Sequence, residues 1–193
     1  KALAEHGSYN PLLSTIPPLT PQAWSSFACG VNPGKHGIFD FGEVPLEAYE
    51  PKLNTSIDRQ TRGFWDYFEE SGLSNAVINM PLSFPAETMK LDTSYMLGGM
   101  HTPSVAKLSA NPRVQEYILR NHPEVLIDVM SFWYEDMDYF VKQIFSMIES
   151  RTNLLLDLRR EFPTDILCHV WVALDRVLHA FYAQQDFVTG GRG

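Results

Sequence analysis

Cysteine is scarce. Cys29 and Cys168 are the only two in 193 residues, and neither belongs to a C-x-x-C or zinc-finger spacing. That excludes a disulfide scaffold, and two thiols in apolar neighbourhoods read as reduced core residues, which leans towards a cytoplasmic protein. Long hydrophobic runs are missing too: no segment approaches the ~20 apolar residues that cross a bilayer, so no membrane partner is expected. Basic runs are also absent, and 15 Lys+Arg against 23 Asp+Glu leave a net charge of −8. A nucleic acid polymer or an anionic membrane is therefore not the expected partner, although a local basic pocket is compatible with that total. No internal repeat and no low-complexity tract occurs. The chain opens at KALAEHGSYN without an initiator Met, so an upstream segment is expected to be missing.

What is present suits a globular core. Hydrophobic residues make up 45% and aromatics 12%, and the length allows one large domain or part of a bigger one. Residues 2–6 read as the tail of a helix stopped by Gly7, and Ser8 to Ile16 as a strand ended by Pro17-Pro18. A helix opens at Thr20-Pro21 with Trp24, Phe27 and Ala28 on its apolar face, and Gly30 closes it. Residues 39–62 hold no persistent period and recurrent prolines, which predicts a surface excursion shaping a substrate entrance. Beyond it the pattern predicts a helix over 64–71, strands over 75–80 and 95–97, a helix over 112–121 and a strand over 125–133. Met137, Val141, Ile144, Ile148, Leu155, Leu158 and Phe162 recur at helical spacing, predicting a long helix over 136–161. The run DILCHVWVAL, Asp165 to Leu174, is apolar on both faces and predicts a central, doubly covered strand. Strands alternating with helices give an α/β sandwich with a central, largely parallel sheet and helices on both faces.

Two places carry candidate chemistry. Thr20 falls at a helix N-cap with Pro21 at the first helical position, where its missing N–H costs nothing. Free N–H groups and the positive end of the helix dipole would then lie beside the Thr20 hydroxyl. Either Thr20 only caps the helix, or it is a nucleophile beside an anion site. Asp175 and His179 follow the last strand, where functional groups of open α/β sheets collect. If a helix starts there, the i, i+4 spacing puts both on one face as candidate ligands for a divalent metal such as zinc. The other reading is an Asp cap followed by a half-buried His. His36 and His101 lie in Gly-rich loops, His169 reads as a core histidine, and His6 and His122 look peripheral.

Together the two places carry a family resemblance. The segment T-P-x-A-W-x-S-F-A-x-G-x-N-P-G-K-H-G-I, Thr20 to Ile38, resembles the nucleophile region of the type I phosphodiesterase/nucleotide pyrophosphatase family, within the alkaline phosphatase superfamily. Asp175-Arg-Val-Leu-His179 resembles the family's D-x-x-x-H pair. NAVINMPLSFP and GGMHTPS resemble segments of its prokaryotic members, so the likeness covers most of the chain.

The resemblance implies one alkaline-phosphatase-like catalytic domain over 1–193, incomplete as it stands. It implies a metal-dependent phosphoester hydrolase, most expectedly a phosphodiesterase acting on a small phosphate ester through a covalent Thr intermediate. Thr20 would be nucleophile and ligand of one divalent ion, while Asp175 and His179 would hold a second. Both ions are expected to be zinc, with manganese or magnesium as substitutes. The family also supplies an upstream Asp, an adjacent Asp-His pair and a final His; no Asp-His dipeptide occurs here, so the 193 residues are expected to be an inactive fragment. Where eukaryotic-type members place an Asn three residues after H-G-I, this chain has Phe41, which weakens the case for a nucleotide substrate. A sulfatase is disfavoured, because neither cysteine fits its C/S-x-P-x-R motif. The alternatives are a phosphomonoesterase, phosphonate hydrolase or phosphotransferase of the same superfamily, or a degenerate domain that binds without catalysing.

Overall fold

A computed structural model describes residues 2–8, 10–44, 50–130 and 135–182. In chain order it contains α1 (Ala2–His6), α2 (Thr20–Cys29), α3 (Pro33–His36), β1 (Gly42–Glu43), β2 (Lys52–Leu53), α4 (Phe64–Glu70), β3 (Asn75–Met80) and β4 (Tyr95–Gly98). It continues through α5 (Pro112–Asn121), α6 (Met137–Glu161), β5 (Ile166–His169) and α7 (Ala173–Phe181). Strands β4, β3 and β5 form a parallel sheet in that order, and β1 pairs antiparallel with β2.

The sheet is a mixed α/β sandwich because β3 is apolar on both faces. Ala76 and Ile78, with Tyr95 and Leu97 of β4, pack against Val114 and Ile118 of α5 and Leu154 and Leu158 of α6. Val77 and Met96 face the other way, onto Ala28 of α2 and Trp65 of α4. Strict alternation would place Met80 with Ile78, yet Met80 joins the Val77 side. The cause is Asn79, whose φ of 65° introduces a register shift between Ile78 and Met80. At the opposite end, Ser74 N–H and Oγ donate to one oxygen of Asp165, at 2.8 and 2.7 Å. That clip sets where β5 starts against β3.

Four expectations are corrected. Ser8 to Ile16 forms no strand among its described residues; Leu12, Leu13 and Ile16 are almost fully exposed, so nothing packs against the β-prone side chains. Residues 125–130 are buried or half-buried yet unladdered, and α6 takes up the backbone of Leu126 in place of a strand partner: Arg151 Nε donates to the Leu126 carbonyl at 2.8 Å, and Leu126 N–H donates to Ser150 Oγ. The remainder of that predicted strand, 131–133, lies outside the described residues. The run 165–174 gives only the four-residue β5, which sits at an edge of the sheet, while the central doubly covered strand is β3. Finally, the excursion over 39–62 is not wholly irregular, since it contains the β1–β2 ladder and a 3-10 turn at Ser56–Asp58.

The other elements follow their local chemistry. Asn111 caps α5 by accepting from Arg113 and Val114 N–H, with Pro112 at the first turn. Asp136 caps α6 in the same way, through Asp138 and Tyr139 N–H. The buried stripe of α6 is Phe140, Ile144, Met147, Arg151, Leu154 and Leu158, so it shares only Ile144 and Leu158 with the sequence-derived stripe.

Candidate active site

The three parallel strands end at one cavity of about 80 Å³. Thr20 and Trp24 of α2 form one wall. Asn79 and Pro81 extend from β3, Met100 from β4, and Val170 to Val172 from β5; Asp175 and Arg176 of α7 close it. This is the carboxyl edge of the sheet, where α/β folds place their ligands. Three non-glycine residues with positive φ cluster around the same edge: Asn79, Leu82 and His101. Side chains hold left-handed backbone only where the surroundings over-determine it, and such positions concentrate at functional sites. Gly99 adds a close approach, since a Cβ there would come within 2.3 Å of the Met80 carbonyl oxygen.

Thr20 reaches this wall one position deeper into its helix than expected. The first bond of α2 runs from Ala23 N–H to the Leu19 carbonyl at 3.0 Å, so Leu19 is the cap and Thr20 the first helical residue. No side chain caps this N-terminus. The expected capping role of Thr20 is therefore not what the structure shows. Its hydroxyl is left for the cavity, beside first-turn N–H groups that lack intrahelical acceptors.

Asp175 and His179 sit on α7, one turn apart, with Asp175 Oδ1 and His179 Nε2 separated by 3.6 Å. Val172, not Asp175, occupies the cap. Both side chains are largely exposed, and His179 does not line the cavity that Thr20 and Asp175 share. Two ligands about 2.0–2.1 Å from a tetrahedral ion lie roughly 3.4 Å apart. A carboxylate oxygen and an imidazole nitrogen at 3.6 Å therefore suit a single divalent ion as two of its donors. Among the described residues, no group of three or more His, Cys, Asp or Glu is placed to share an ion.

The second oxygen of Asp175 is already engaged. Arg176 Nη1 donates to Asp175 Oδ2 at 2.9 Å, while its Nε and Nη2 form a two-pronged contact with Asp128, at 2.9 and 2.7 Å. Arg176 is buried, and Asp128 sits on the unladdered segment before α6.

Of the remaining histidines, His36, His101 and His122 have structural partners. His36 is fully buried; its Nδ1 accepts from Ile38 N–H at 3.1 Å, so Nε2 carries the proton and donates to Ser26 Oγ at 2.9 Å. Burial and nearby Arg59 hold its pKa below the ordinary range. His169 is pushed down to about 4 by burial and by Arg151, and its Nδ1 is buried without a partner. His122 contacts Asp157 at 3.1 Å. The His101 ring meets Phe41 edge-on, 5.9 Å between centroids, so the excursion leans on the loop after β4.

Sequence reasoning passed over Asn79, Arg176 and Asp128. Asn79 was detectable as the polar residue near the end of an otherwise apolar run. Arg176 was hidden as one of the unspecified positions inside D-x-x-x-H. Asp128 carried no signal, because only the fold brings it to Arg176 from 48 residues away.

Comparison with known proteins agrees with this architecture. The family model described as type I phosphodiesterase / nucleotide pyrophosphatase matches residues 1–187. No curated protein and no solved structure matches the chain.

Proposed function

The chain belongs to the type I phosphodiesterase / nucleotide pyrophosphatase family, whose described activity is phosphoester hydrolysis, and from that premise we propose a metal-dependent phosphodiesterase with Thr20 as nucleophile. One observation carries the proposal: Thr20 and Asp175, 155 positions apart in the sequence, line the same cavity at the carboxyl edge of the sheet. In this reading Asp175 and His179 hold one divalent ion and Thr20 is a ligand of another. Bound ions of this kind, zinc by preference, neutralise phosphoryl charge and ease ionisation of a hydroxyl.

The chain's own residues do the rest. Thr20 Oγ attacks phosphorus, forming a Thr–phosphate ester as the bond to the leaving oxygen breaks; the hydroxyl proton passes to solvent and the leaving alcohol takes one up. Water then attacks the same phosphorus and restores Thr20. The first turn of α2 favours this by directing its partial positive charge at the phosphoryl oxygens. Trp24, Met100 and Trp171 form an apolar rim that suits an organic ester group. Cytoplasmic residence belongs to the same proposal and rests on the unpaired Cys29 and Cys168.

The test is hydrolysis of an aryl phosphodiester by the full-length protein, with and without added Zn²⁺ or Mn²⁺. Metal-dependent turnover that disappears in Thr20→Ala is expected. Full activity of that variant would remove Thr20 from the mechanism, and faster turnover of the monoester would favour a phosphomonoesterase. A protein that takes up no metal and turns over neither ester would be a binding domain.

A further inference from the structure

The two oxygens of Asp175 face different partners, Oδ2 towards Arg176 Nη1 and Oδ1 towards His179 Nε2. A carboxylate on an exposed helix face is ordinarily free to spin about its terminal torsion, which is broad. Here that rotation is opposed by a guanidinium that is itself immobilised: Arg176 is buried, and its Nε and Nη2 are both committed to Asp128. We infer that Arg176 is a positioning residue that fixes which oxygen of Asp175 is presented to an ion at His179, and that Asp128 fixes Arg176. The inference rests on the reading of Asp175 and His179 as donors to one divalent ion.

Two features favour this over alternative roles for Arg176. Although it lines the cavity, three of its five N–H donors are consumed by carboxylates, so little is left to grip a phosphoryl group. And the fork matters more than the charge. A planar guanidinium can bridge Asp128 and Asp175 at once, whereas a lysine ammonium, though equally charged, cannot reproduce that geometry. Partners of ligating carboxylates of this kind typically set metal affinity by 10–100-fold.

The experiment is calorimetric titration of Zn²⁺ alone into metal-free full-length protein, with the visible absorption of the Co²⁺-loaded form as a second readout. Arg176→Lys preserves the charge and is expected to bind Zn²⁺ at least about tenfold more weakly, with an altered Co²⁺ spectrum. Asp128→Asn is expected to act in the same direction, because it releases Arg176 without touching either donor. Where one variant does not fold, by circular dichroism, the other decides. Wild-type affinity and spectrum in the folded variants, with binding still abolished by Asp175→Asn, would overturn this inference and leave the metal reading standing. A wild-type protein that binds neither ion would overturn both.

Discussion

The side-chain amide of Asn79 donates to the carbonyl oxygen of Val170 at 2.8 Å, tying the left-handed end of β3 to the first residue beyond β5. Replacing it with alanine removes the hydrogen bond and forces an ordinary side chain to keep φ at 65°. Asn79→Ala is expected to cost about 1–3 kcal/mol, and Asn79→Gly less, because glycine tolerates that backbone. Urea unfolding of both variants measures the difference. Equal losses would mean that the backbone conformation contributes nothing.

Thr20 offers a cleaner separation of stability from activity. It makes no capping bond, so Thr20→Ala should shift unfolding by no more than ~0.5 kcal/mol. Aryl phosphodiester hydrolysis should nonetheless fall by at least about a thousandfold, with Thr20→Ser retaining most of it. A variant that loses stability and activity together would point to a structural role.

The opposite outcome is expected at His36. His36 is fully buried at the end of α3, and with Nε2 protonated and donating to Ser26 its one lone pair, on Nδ1, is taken up by Ile38 N–H, so none is left to act as a base. His36→Ala should cost about 2–4 kcal/mol while leaving the pH–rate profile of the folded fraction unchanged. Loss of a limb from that profile would assign His36 to the chemistry.

Much of the sheet was legible because burial and pattern coincide in β3, β4 and α5, and α6 was legible in extent although its buried face was not. NAVINM is apolar enough to be central, and Pro112 and Asp136 mark helix starts by chemistry that neighbours do not override. Two of the misreadings, over 125–133 and 165–174, share one cause. Val125, Val129 and Ala173 are apolar because they are buried, and Val170, Trp171 and Val172 because they line the cavity, and composition alone cannot tell such roles from membership of a ladder. At the candidate site, Thr20, Asp175 and His179 could be picked out by residue type and spacing. The Asp128–Arg176 contact could not, since it depends on a segment that is unladdered in the fold and looked like a strand.

His169 gives a pH signature. Burial, then Arg151, lowers its pKa from 6.5 to about 4. The unfolded chain takes up a proton near pH 6.5 and the folded chain does so only near 4. Its contribution is therefore intact above about 6.5 and is lost as pH falls towards 4. Urea unfolding at pH 7.5 and pH 5 should show the loss, and His169→Gln should flatten it. An identical slope in the variant would place the titration elsewhere.

The clip between Ser74 and Asp165 has a consequence in time as well as space. It closes a loop of 91 residues, whereas the Asn75–Ser94 contact beside it closes one of 19. The longer closure costs roughly 1.4 kcal/mol more in chain entropy. The β3–β4 pair should thus assemble first, and β5 should dock only after α5 and α6 have been laid down. Pulsed hydrogen exchange during refolding should protect the Tyr95–Gly98 amides before those of Ile166–His169; simultaneous protection would contradict this order. Because Asp175 follows β5 into the structure, the pocket is the last part of the molecule to exist, and a partly folded chain holds Thr20 without its counterpart.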